Sequence, residues 1–60
     1  MNEKLLTIDE VAATLRIHRE SVRRLILAEE LPALKVGHLW RIRQSDLDAY
    51  LRREQDKPSA

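Results

Sequence analysis

Three arginines and one glutamate fall within six residues of each other, as Arg19, Glu20, Arg23 and Arg24. A guanidinium can donate paired hydrogen bonds to O6 and N7 of guanine, and a carboxylate can accept from the N4 amino group of cytosine. On one helix, these four side chains would suit the reading of base edges in a major groove. A second group, Lys35, His38, Arg41 and Arg43, follows within nine residues. Together with Arg16 it supplies candidates for contacts to phosphates or to a minor groove.

Each group also has a plainer use. Glu20 and Arg24 are spaced i, i+4, as an internal ion pair on a solvated helix would be, and strand-edge charges discourage aggregation. The distribution of charge favours the first use. The formal net charge is only +1, yet the segment from Arg16 to Arg43 holds seven Lys/Arg against three acids, while the rest of the chain holds four against seven. Positive charge is therefore concentrated in the middle, where a polyanion would be met.

Other chemistries find little footing. With no cysteine, neither a disulfide framework nor a cysteine-based zinc site can form, and His18 and His38 are too far apart for local metal-ligand spacing. No metal or cofactor is expected. Ser21, His18, Asp9, Glu29 and Glu30 include residue types used in catalysis, but no motif gathers them round a pocket, so the chain does not read as an enzyme. Its first residues lack the apolar run of a signal peptide, and no segment is long enough to span a bilayer. The expectation is a cytoplasmic protein without a membrane partner.

The elements that must position the basic groups can be read in order. Thr7-Ile8-Asp9-Glu10 has the spacing of a capping box, which predicts a helix starting there, with Ile8, Val11, Ala12 and Leu15 forming its apolar stripe to an end near Leu15 or Arg16. A second stripe, Val22, Leu25 and Ile26, begins out of register after Arg16-Ile17-His18. This predicts a turn of about three residues and then another helix, with Glu20, Arg23, Arg24 and Leu27 opposite the buried face and Arg19 at its flank. Glu29-Glu30-Leu31-Pro32 should stop it.

Two short strands, Ala33–Val36 and Leu39–Ile42, are predicted around Gly37-His38. Their register is open. A two-residue turn places Lys35 opposite Trp40, whereas facing Leu34, Val36, Trp40 and Ile42 all toward the core needs a three-residue loop that sets Lys35 against Arg41. Ser45-Asp46-Leu47-Asp48 then predicts a capped third helix, with Leu47, Tyr50 and Leu51 closing the core and Trp40 as its large ring. Sixty residues allow one domain. The expected division is an N-terminal arm at 1–5, a folded domain at 6–52 and a flexible tail at 53–60.

The fold class predicted is mostly α with a small β-hairpin, ordered α-α-β-β-α as a winged helix-turn-helix. The runs Leu6-Thr7-Ile8-Asp9-Glu10-Val11-Ala12, Ser21-Val22-Arg23-Arg24-Leu25-Ile26, Leu31-Pro32-Ala33, Val36-Gly37, Trp40-Arg41-Ile42 and Asp46-Leu47-Asp48-Ala49-Tyr50-Leu51 resemble the excisionase-like branch of the MerR-type winged helix-turn-helix family. The resemblance implies sequence-specific binding of double-stranded DNA, with the second helix in the major groove and the hairpin wing on neighbouring backbone or minor groove.

It further implies a bacterial, phage or mobile-element origin. The role would be that of an excisionase-type factor working with an integrase or recombinase, or of a small transcription regulator, with another copy of the chain on adjacent sites. The chain departs from the family where Arg16 and Glu29 stand, since glycine is common at both places, and at His18, where Ser or Thr is the usual cap. Leu27 and Leu39 replace frequent polar residues and leave open a contact between protomers. The alternative function is a protein-interaction adaptor that keeps the fold without binding DNA.

Overall fold

Thr7 opens the first helix in the manner its spacing predicts: its Oγ1 accepts from the Glu10 N–H at 3.1 Å, and the Glu10 carboxylate accepts from the Thr7 N–H at 2.9 Å. The computed structural model describes residues 3–56. In it, α1 spans Ile8–Leu15 and α2 spans Arg19–Leu27. Leu6 and Val11 occupy the positions of a hydrophobic staple, and both lie in the core.

Both helices close in the same way. Arg16 has a φ of 59°; its N–H reaches the Ala13 carbonyl and the Ile17 N–H reaches Ala12, the bonding pattern of a Schellman motif. Glu29 repeats it with a φ of 61°, its N–H bonding to Ile26 and that of Glu30 to Leu25. This turn ends α2 before Pro32 is reached and carries Leu31 into the core with no exposure. The left-handed region penalises a Cβ, and both residues stand where the resembling family commonly has glycine.

A three-stranded antiparallel sheet follows from β1 (Leu5–Leu6), β2 (Leu34–Val36) and β3 (Leu39–Arg43), in the order β1-β3-β2. The register of the hairpin is settled: Lys35 pairs with Trp40, Leu34 with Arg41 and Val36 with Leu39. The connection is therefore the two-residue Gly37-His38 turn, in which only Gly37 (φ 64°) has a positive φ, as in a type II′ turn. Apolar parity gave the other register because it assumed a core beneath the whole ribbon. Leu34 and Val36 are in fact exposed, since the observed register sets them opposite Arg41 and Leu39, on the face of the ribbon turned away from Trp40 and the buried Ile42.

The strand β1 is a further element beyond those the sequence predicts: Leu5, expected in the N-terminal arm, pairs with Arg43. The same pairing explains the start of α3 (Gln44–Asp56) directly after β3. The Gln44 N–H donates to the Lys4 carbonyl at 3.1 Å, so a backbone partner replaces the side-chain cap expected at Ser45. Ser45 Oγ donates instead to the Glu3 carboxylate at 2.8 Å.

The core consists of Leu6, Val11, Ala12, Val22, Ile26, Leu31, Ile42 and Leu47, with Ile8, Leu15, Leu25, Ala33, Trp40 and Tyr50 packed on it. Leu51, expected inside, is exposed, because α3 meets the core along a stripe that Leu47 and Tyr50 fill. Residues 53–56, where the sequence suggests a tail, continue α3; there Arg53 donates to the Glu30 carbonyl at 3.2 Å and ties the helix to the turn after α2. The rest of that tail, 57–60, and positions 1–2 of the arm lie outside the described residues. No helix among the described residues is long and apolar enough to cross a membrane.

Candidate nucleic-acid interface

The α2 helix buries Val22 and Ile26 and turns Glu20, Arg23, Arg24 and Leu27 to solvent. Glu20 and Arg24 form no ion pair, and no hydrogen bond or ion pair among the described residues engages Arg23 either. Three polar side chains thus stand on one face of a short rigid helix with their donors and acceptors available. The first turn of this helix carries no side-chain cap, since His18 accepts no hydrogen bond there.

Arg19 is placed differently. Its Nε lies 3.1 Å from Asp9 Oδ1 on α1, with both side chains mostly exposed. Thr7, Ile8, Asp9, Arg19, Leu39, Trp40 and Arg41 line one groove between the start of α1, the start of α2 and the hairpin. Arg19 is therefore directed at the space between helix and wing, away from the run of Arg23 and Arg24.

The observed register divides the wing's charges between two faces, because side chains alternate along a strand. Lys35 shares a face with Trp40, and its ammonium sits 4.9 Å from the centre of the indole ring, a cation–π contact. Arg41 is on the other face, opposite Leu34, half-buried and donating from Nη1 to the Trp40 carbonyl at 2.9 Å. Arg43 follows Arg41 on that face opposite Leu5, while His38 is exposed at the turn and Arg16 at the end of α1. From Leu31 to Ser45 there are three Lys/Arg and no acid, so the wing as a whole is basic.

Acid approaches the groove from α1. The backbone N–H of Thr7 holds the Glu10 carboxyl below its ordinary value of 4.5, with Lys4, the Thr7 hydroxyl and Arg41 acting in the same direction. Asp9 and Glu10 thus bring two negative charges beside two of the candidate DNA-contacting arginines. Local spacing does not reveal this, as Asp9 and Arg19 are on different helices and their meeting depends on the angle of the intervening turn.

The family described as the helix-turn-helix domain matches residues 5–55, almost the whole of the described fold. The chain belongs to the helix-turn-helix domain family. This helix-turn-helix protein is also 46% identical, over 39 residues, to two proteins from Mycobacterium tuberculosis strains CDC 1551 / Oshkosh and H37Rv, named as candidate DNA-binding proteins. The match covers 65% of the chain and 50% of each relative, so the chain spans about half the length of the curated relatives it matches. No solved structure gives a significant match.

Proposed function

We infer that this helix-turn-helix protein binds duplex DNA sequence-specifically, with α2 in the major groove and the hairpin along the adjoining backbone. The observation that carries this reading is the face of Glu20, Arg23 and Arg24, exposed and without an ion pair among the described residues, next to a wing that contains no acid. Arg23 and Arg24 would donate to guanine edges and Glu20 would accept from cytosine. Arg16, Lys35, His38, Arg41 and Arg43 would meet phosphates or the minor groove, and Arg19 joins them by virtue of its place in the groove with Arg41.

A module of this size buries roughly 600–1,000 Å² on DNA, little for high specificity, which favours further copies or a second DNA-bound protein on adjacent sites. An excisionase-type factor acting with a recombinase would use several phased sites and bend the duplex, whereas a small transcription regulator would use one or two sites at a promoter. Selection of bound fragments from genomic DNA by the purified protein, followed by sequencing, tests both levels. An enriched motif is expected, and its repeat number separates the two roles; no enrichment would contradict sequence-specific binding.

A further inference from the structure

We propose that Asp9 is an internal surrogate for a DNA phosphate, held against Arg19 so that this arginine contributes little to indiscriminate binding. The proposal rests on the DNA-binding reading above and assigns a selectivity role to a residue outside the base-reading face.

The geometry is direct. Asp9 Oδ1 is 3.1 Å from Arg19 Nε, and the two side chains are 67% and 72% exposed. The pair borders the groove that also contains Arg41, where a backbone phosphate between helix and wing would lie. A carboxylate here takes one edge of the guanidinium and leaves the remaining donors toward the groove. Any phosphate approaching Arg19 must then either displace Asp9 or accept its repulsion.

The exposure of the pair makes displacement feasible. Solvent-exposed ion pairs are weak and screened by salt, so a phosphate in the right register can replace the carboxylate, while a loosely placed one gains little by doing so. Besides Arg41, the groove is lined around the pair by Thr7, Ile8, Leu39 and Trp40, which carry no charge. The neighbouring acid, Glu10, is engaged with the Thr7 N–H in the capping box. Asp9 is also an acid in the first turn of α1, but it takes no part in the box, and its carboxylate meets Arg19 instead.

The test is a double-mutant cycle with wild type, Asp9→Asn, Arg19→Ala and the double variant. Each is titrated with a random duplex and with a duplex carrying the selected motif, after thermal unfolding has shown that all four fold. Asp9→Asn is expected to tighten random-duplex binding, by on the order of threefold to fivefold, given the ceiling for exposed pairs. The gain on the selected duplex should be smaller, so discrimination falls. In the Arg19→Ala background the same change should have almost no effect.

An equal gain with and without Arg19 would overturn the proposal, because Asp9 would then act only as a distant charge. So would unchanged random-duplex binding in Asp9→Asn. If none of the four proteins bound either duplex, DNA binding itself would fail and the proposal with it; duplex binding indifferent to Asp9 would overturn the proposal alone.

Discussion

Arg16 and Glu29 close two successive helices in the same left-handed conformation, with φ of 59° and 61°. Neither has the freedom of glycine there, so each helix end carries a backbone cost of roughly 1–2 kcal/mol, partly offset because glycine would lose more chain entropy on folding. Glu29→Gly should therefore stabilise the domain by about 0.5–1 kcal/mol in urea unfolding, while Glu29→Ala should give no such gain. A destabilising Glu29→Gly would contradict the closure described for α2.

His18 precedes α2 with extended backbone, φ −71° and ψ 150°, but provides no side-chain acceptor to the first turn. Replacing it by serine puts an oxygen where the helix lacks one and should add about 1 kcal/mol to stability. The matched control is His18→Ala. Equal unfolding midpoints for the two variants would show that the orphan N–H groups are satisfied some other way.

The capping box also makes α1 sensitive to acid. Glu10 titrates below its ordinary 4.5 because the Thr7 N–H favours the carboxylate, so more protons bind in the unfolded chain than in the folded one. That contribution is present above the ordinary value and lost as pH falls through the lowered one. Unfolding midpoints followed from about pH 6 to pH 3 should drop, and Glu10→Gln should flatten part of the decline. An identical acid limb in the variant would remove Glu10 as its source.

Exposure separates apolar residues on the same hairpin. Ile42 is fully buried, whereas Val36 and Leu39 are 54% and 57% exposed. Ile42→Ala should cost about 2–5 kcal/mol, while Val36→Thr or Leu39→Thr should change stability by less than about 0.5 kcal/mol. A large loss from either threonine variant in the unfolding of the free protein would mean that the wing packs more closely than its exposure indicates.

What could be read from the chain was local. Thr7 and Glu10 are three residues apart, and the stripes of Val11-Ala12 and Val22-Ile26 repeat within single helices, so spacing alone located α1, α2 and the turn between them. The basic face of α2 followed from the same projection. Features that depend on residues distant in sequence were hidden: Leu5–Leu6 become a strand only by pairing with Ile42 and Arg43, which in turn moves the start of α3 ahead of Ser45. Hairpin register escaped parity because Leu34 and Val36 are apolar without being buried. Arg19 resembled Arg23 in sequence, and only the approach of α1 sets it against Asp9.

Duplex affinity measured across a range of salt concentrations, for the wild type and for Arg23→Ala and Arg24→Ala, tests the central claim most directly. Binding through α2 and the wing predicts that log K falls linearly with log salt, at a slope of about −4 to −5 for about five neutralised phosphates. On the selected motif, each alanine variant should lose about 1–3 kcal/mol and relax sequence preference. A flat salt response, with affinity unaltered in both variants, would contradict DNA binding by this face.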